Sequence, residues 1–317
     1  MYIEQAFKGQ HDWWRYLVGL VIVFIFWQII GVIPLMVGAF IEAGDLETFL
    51  KAGESSFMSL GMNSNLFLTL MIITFISGLI GLLIAIKFLH QQKFKEFTTT
   101  RKKVDWKRIW FAFLLVATVN IVFFGISYYM EPEIFTFNFK MIPFLILALI
   151  SIFLLPLQTS FEEYLFRGYL MQGIGVLAKN KWLPLFITSI TFGLLHSFNP
   201  EVEKLGYIMM VFYIGTGFLL GIMTLMDDGM ELALGFHAAN NMIAAMLVTT
   251  DWSAFQTNAI FLDTSEPSGG IDIVLPVIIL YPVYLLIFAK KYKWTNWKGK
   301  LFGKVEDKDK IEVITNF

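Results

Sequence analysis

Apolar residues along this chain come in long unbroken runs rather than in a stripe along one face of each segment. Eight runs stand out, at about 16–41, 65–90, 109–130, 141–160 with an apolar extension to about 178, 183–198, 206–226, 230–250 and 271–289. A helix needs about 20 residues to cross the hydrocarbon of a bilayer, and the fifth run is the shortest. None shows the strict alternation of barrel strands, and backbone amides facing lipid must be paired within their own segment. The pattern predicts an all-α, polytopic membrane protein of about eight transmembrane helices, with no soluble domain of any size between them.

Composition agrees with the pattern. Hydrophobic residues make up 57% of the 317 and charged residues only 15%, where an ordinary soluble domain carries roughly 25% charged. Mean hydropathy is +0.67. With 24 Lys and Arg against 25 Asp and Glu, the chain lacks the basic excess of a nucleic-acid binder. It has no cysteine, which excludes thiolate catalysis, Cys-ligated zinc and disulfides.

Charge placement adds an orientation. Lys8 and Arg15 precede the first run, and Lys93, Lys95, Arg101, Lys102, Lys103, Lys107 and Arg108 crowd the second connection. Lys179 and Lys181 mark the fourth, and Lys290, Lys291, Lys293, Lys298, Lys300 and Lys304 follow the last run. The odd connections are acidic or nearly free of Lys and Arg, while the short stretch Asp227 to Glu231 has neither and gives no direction. Because Lys and Arg accumulate in cytoplasmic loops, both termini are expected in the cytoplasm, in the cell membrane if the host is a prokaryote. The first run is too long for a removable signal peptide and has no small-residue cleavage site, so it reads as a membrane anchor. Trp13, Trp14, Trp294 and Trp297 fit interfacial belts, His11 and His90 read as solvated residues at span edges, and the basic second connection and tail serve topology and anionic head groups.

Polar residues inside the runs carry the candidate chemistry, since an ionisable group in hydrocarbon is costly unless paired or hydrated. Ser160 to Gly168 holds Glu162, Glu163 and Arg167. On a helix Glu163 and Arg167 share a face and can pair, while Glu162 points about 100° away. The free carboxylate, desolvated beside a like charge, is expected to have a raised pKa suited to taking a proton from water. Phe192 and His196 close the fifth run, and His237 and Asn241 lie one turn apart in the seventh, with Asn240 beside Asn241. A free Glu, two His and an Asn supply a base, a partner to orient water and donors for an oxyanion.

Glu162-Glu163-x-x-x-Arg167, Phe192-x-x-x-His196 and His237-x-x-x-Asn241, in that order and each in its own apolar run, resemble the CAAX protease and bacteriocin-processing (CPBP, Abi) family of intramembrane endopeptidases. The resemblance covers about 141–250; it leaves 1–140 as an N-terminal transmembrane region of three helices and 251–317 as the last helix with a basic cytoplasmic tail. It implies helices around a polar intramembrane cavity, and a peptidase acting on a membrane-associated peptide or protein. In the implied roles Glu162 and His196 activate water, His237 and Asn241 stabilise the oxyanion, and Glu163 with Arg167 braces the helix. No cofactor is expected, although Glu162, His196 and His237 would suit a catalytic zinc, which takes three such ligands and a water. The usual His-Glu-x-x-His signature is missing.

A proton-coupled transporter would use the same buried Glu and His as a relay, with Pro156, Pro184 and Pro276 breaking helices. A non-catalytic chaperone or immunity protein would keep them as polar glue. If Gly168, Gly173 and Gly175 bend the extension of the fourth run, Glu162 moves toward the basic end and the cavity opens there.

Overall fold

The computed structural model describes residues 1–254 and 256–307. Each apolar run is helical: α1 (Trp13–Ala43), α2 (Ser64–Leu89), α3 (Trp106–Met130), α4 (Met141–Ala178), α5 (Trp182–Leu194), α6 (Met209–Asp227), α7 (Glu231–Leu247) and α8 (Ile271–Tyr292). Among the described residues six of these are long and apolar enough to cross a membrane, which makes the chain an integral multi-pass membrane protein. The other two fall short of the eight spans expected from sequence, with 13 residues in α5 and 17 in α7. Local chemistry sets both lengths. Beyond Leu194 the carbonyl of Phe192 is taken by the His196 ring, so α5 ends before its apolar run does. The helix α7 begins on buried Glu231 and runs directly into a strand at Val248.

Proline and wide turns shape α4. The helix is interrupted at Leu154, where Pro156 sits in the first turn of the resumed segment and supplies no N–H to the preceding turn. A π-helical stretch, Tyr164–Leu170, follows Glu163 directly; such widened turns recur at functional sites. Pro184 lies near the start of α5 without breaking it, and Pro276 opens a π-helical stretch inside α8.

Ion pairs gather the even connections at one end of the bundle. Arg101 reaches Asp227 at 2.9 Å and Glu231 at 3.0 Å, and Arg108 reaches Asp227 at 2.5 Å. Trp294 donates to Asp227 at 3.0 Å, Lys181 lies 3.5 Å from Glu4, and Lys300 pairs with Asp228. Three sequence expectations change here. Arg101 and Arg108 anchor the acidic turn after α6 rather than serving lipid head groups, and Trp294 is buried rather than interfacial. His90 is fully buried, not solvated: its Nδ1 donates to the Gln10 carbonyl at 2.7 Å, and Tyr169 donates to its Nε2 at 2.8 Å. Burial pushes this imidazole below its ordinary pKa. The last ten residues of the basic tail, 308–317, lie outside the described residues.

At the far end the odd connections meet. Strands β1 (Phe135–Phe137), β2 (Val248–Thr249) and β3 (Phe261–Asp263) form a sheet in the order β1-β3-β2, antiparallel between β1 and β3 and parallel between β2 and β3. The two ends are separated by the length of α3, about 37 Å for its 25 residues.

Glycines set the closest approaches. The extension of α4 is helical to Ala178; within it Gly173 receives the Tyr16 ring and Gly175 receives Ile3, and a Cβ at either would lie 2.6 Å from those side chains. Between α5 and α6, a Cβ on Gly217 would lie 2.5 Å from the Ser189 carbonyl oxygen. Gly217→Ala should therefore force the two backbones apart and cost about 1–3 kcal/mol, the scale of overpacking, read as a lower thermal midpoint in detergent. Gly125→Ala, which meets nothing within 4 Å, should leave the midpoint unchanged or raise it, since Ala is the better helix residue.

Candidate active site

Between the break at Leu154 and the π-helical stretch, α4 presents two polar side chains one turn apart, Gln158 and Glu162. Both line a cavity of about 720 Å³. Glu163, the next residue, turns away from it and is fully buried. Its Oε1 accepts from Arg167 Nη1 at 3.0 Å and from His237 Nδ1 at 2.8 Å. Arg167, also fully buried, donates through Nη2 to the Gly217 carbonyl at 3.1 Å and lies over the Phe192 ring, 4.4 Å from its centre. The Glu163–Arg167 pair expected from sequence is present. It does more than neutralise a charge, because the same carboxylate oxygen fixes the ring of His237.

That contact sets the His237 tautomer. An ionised carboxylate only accepts, so Nδ1 carries a proton, and Nε2 is left facing Glu162 Oε2 at 3.4 Å. If Glu162 were ionised and Nε2 bare, two lone pairs would face each other at that distance. A hydrogen on either atom would remove that clash.

His196 sits in the turn just past the end of α5 rather than within a span. Its Nδ1 donates to the Phe192 carbonyl at 2.8 Å, which leaves Nε2 as the basic nitrogen of the neutral ring. The ring stacks on Tyr213, with centroids 4.4 Å apart and planes 21° from parallel. Tyr213 donates to Glu201 Oε1 at 2.6 Å, and Glu201 Oε2 accepts the backbone N–H of Ala254 at 3.0 Å. On α7, Asn241 donates to Gln158 Oε1 at 3.2 Å and Asn240 donates to Asn241 at 3.3 Å.

Glu162, His196, His237, Asn240 and Asn241 all line the one cavity, with Phe192 between the two imidazoles; Glu163 and Arg167 lie behind its wall. The pairing inside it differs from the roles the resemblance implied, since His237 rather than His196 stands beside Glu162. The trio Glu162, His196 and His237 is not drawn together as a ligand set, and among the described residues no three His, Asp or Glu side chains are placed to hold a metal ion. As arranged, these residues do not fit a zinc shell. The cavity also opens at the other end from the one expected. Phe198, Asn199 and Glu201 of the fifth connection and Ala254 of the seventh line it, while Tyr164, Phe166, Tyr169 and Phe97 pack solidly on the basic side of Glu162.

Gln158, Tyr213 and Glu201 were not singled out from the sequence. Gln158 carried a usable signal, a polar residue one turn before Glu162 on the same face of an apolar helix. Tyr213 and Glu201 carried none, since one reads as a span aromatic and the other as a loop charge.

These observations define a class: a multi-pass membrane protein in which a carboxylate of α4, a buried imidazole of α7 and a partly buried imidazole just past α5 line one cavity among the helices. Residues 139–243 match the family model described as type II CAAX prenyl endopeptidase Rce1-like. Over 232 residues the chain is 31% identical to the uncharacterized protein YyaK of Bacillus subtilis (strain 168), an alignment covering 69% of this chain and 72% of that protein. No solved structure matches. The chain belongs to the Rce1-like family of type II CAAX prenyl endopeptidases, a family of CAAX-type intramembrane proteases.

Proposed function

We propose that the protein is an intramembrane endopeptidase that hydrolyses a peptide bond of a membrane-associated peptide or protein with water activated at Glu162. The observation that carries this reading is the chain of contacts Arg167, Glu163, His237, Glu162, which ends on a carboxylate in the cavity. Water sits between Glu162 and the bare Nε2 of His196, which accepts its second hydrogen. Glu162 takes a proton as the water oxygen bonds to the substrate carbonyl carbon. The resulting oxyanion accepts from the Asn241 amide and from Nε2–H of the charged His237, whose imidazolium is held by Glu163. Collapse breaks the C–N bond, and Glu162 passes its proton to the leaving amine. Charge balance supports this order: as Glu162 is neutralised, the new negative charge on the oxyanion replaces it beside His237 and Arg167.

Full-length protein in proteoliposomes, given a membrane-anchored peptide, tests the reading directly. Cleavage products are expected; uptake without cleavage would favour a proton-coupled carrier, and binding with neither would favour a scaffold. No step above needs a metal, so turnover should survive exhaustive chelation. Stoichiometric zinc in active protein, with chelator-sensitive turnover that zinc restores, would reassign Glu162, His196 and His237 as ligands of a metal-bound water.

A further inference from the structure

The side from which a substrate arrives follows from two independent features, the charge at each end of the bundle and the residues around the cavity mouth. Every connection that docks at the basic end is rich in Lys and Arg or is paired to one that is: Arg101 and Arg108 hold Asp227, Lys181 lies by Glu4, and Lys300 pairs with Asp228. Cells retain such segments in the cytoplasm. The seventh connection, at the other end, has no Lys or Arg between Asp251 and Glu266, and the fifth has Glu201 and Glu203 against one Lys204.

The cavity belongs to that second end. Its loop lining comes from the fifth and seventh connections, and Phe198 at its edge is 93% exposed. Its helical lining includes Leu68 to Phe75 near the start of α2 and Phe212 to Thr216 near the start of α6, on that side, and reaches inward to Trp27 of α1, Phe166 of α4 and His237 of α7 near the middle of the bundle. In the other direction the path from Glu162 is filled. Tyr164, Phe166, Tyr169 and Phe97 pack with Tyr2 of the N-terminal segment, each no more than 6% exposed, and the Tyr2 hydroxyl is bonded to the Phe97 carbonyl. A peptide reaching Glu162 from the basic side would have to displace this layer.

We infer that the site is entered from the extracytoplasmic side, and that the substrate is a membrane-associated peptide segment whose scissile bond lies on that side, rather than a lipidated C-terminal tail in the cytoplasm. The chemistry of the cut rests on the proteolytic reading above; the direction of entry does not.

The absence of cysteine makes the direction measurable with single-Cys variants of the full chain. In right-side-out membrane vesicles a membrane-impermeant maleimide should label Phe198→Cys and Asp251→Cys, and should label Lys103→Cys only after the vesicles are opened. Labelling of Lys103→Cys alone in sealed vesicles would overturn the inference. If Phe198→Cys does not accumulate, Asp251→Cys, exposed and outside the cavity, decides the same point. A second arm uses two anchored peptides with the same cleavable segment, one displaying it outside and one in the cytoplasm. Cleavage of the outside peptide alone is expected, and cleavage of the cytoplasmic one alone would overturn the direction of entry. Failures stay separable, because labelling needs no turnover. Correct labelling with no cleavage of either peptide would sink the proteolytic reading and keep the direction, whereas reversed labelling with cleavage would do the opposite.

Discussion

Replacing Glu162 with Gln should lower peptide hydrolysis by at least about 100-fold, the scale of losing a general base, with no loss of membrane insertion. The substitution keeps the shape of the side chain and its place in the cavity wall, so a fall in rate reports on chemistry rather than packing. It also removes the negative charge facing His237 Nε2 across 3.4 Å, while the amide oxygen of Gln can still accept a hydrogen bond there. His237→Ala should lose a similar factor through the oxyanion donor. It carries a second penalty that Glu162→Gln does not, since the Nδ1 bond to buried Glu163 disappears. His196→Ala separates the two imidazoles. Its ring is stacked on Tyr213 and caps α5, so a purely structural role would lower the thermal midpoint and leave the rate per folded molecule unchanged. The proposed role in positioning water requires the rate itself to fall by about the same two orders of magnitude. Wild-type turnover per folded molecule in His196→Ala would remove it from the chemistry.

What the sequence made legible was the layer of structure that follows from local rules. Long apolar runs became helices because lipid leaves the backbone no other way to satisfy its amides. The Glu163–Arg167 pair followed from a four-residue spacing, and both survive as contacts despite the π-helical stretch between them. The distances between helices were not legible. Nothing in the order of residues says that His237 would reach both carboxylates while His196 stacked on Tyr213 instead, because that depends on how closely α5, α6 and α7 approach. Glycines set such distances, at Gly217 of α6 against Ser189 of α5 and at Gly235 of α7 against the Ile109 carbonyl of α3.

The misplaced edge residues share one cause. His90, Trp294 and Arg108 lie at the ends of apolar runs and Arg101 in the connection between two of them, where composition alone reads as water or head group. In the folded chain those ends are covered, by the N-terminal segment over His90 and by the turn Asp227 to Glu231 over the arginines. Connections that look like loops in one dimension form a packed layer in three, and that same layer seals the basic end beneath Glu162.

Arg167 is where fold and site can be separated by experiment. Arg167→Met leaves Glu163 as a buried carboxylate with His237 as its one remaining bonded partner among those seen, and deleting one member of a buried pair costs on the order of 3–5 kcal/mol. Glu163 is poorly protected against that loss. Both of its hydrogen bonds fall on Oε1, while Oε2 and Arg167 Nε have no hydrogen-bond partner among the described residues. Adding Glu163→Gln to Arg167→Met removes the stranded charge, so the double variant should melt well above the Arg167→Met single variant. Activity should not follow stability. The Gln side chain carries no charge to set against an imidazolium, so His237 loses the anion behind it while it donates to the oxyanion, and turnover should stay low in the restored fold. Equal melting of the single and double variants would show that the pair contributes nothing to the fold; full turnover in the double variant would show that Glu163 serves the helix alone and that His237 needs no anchor.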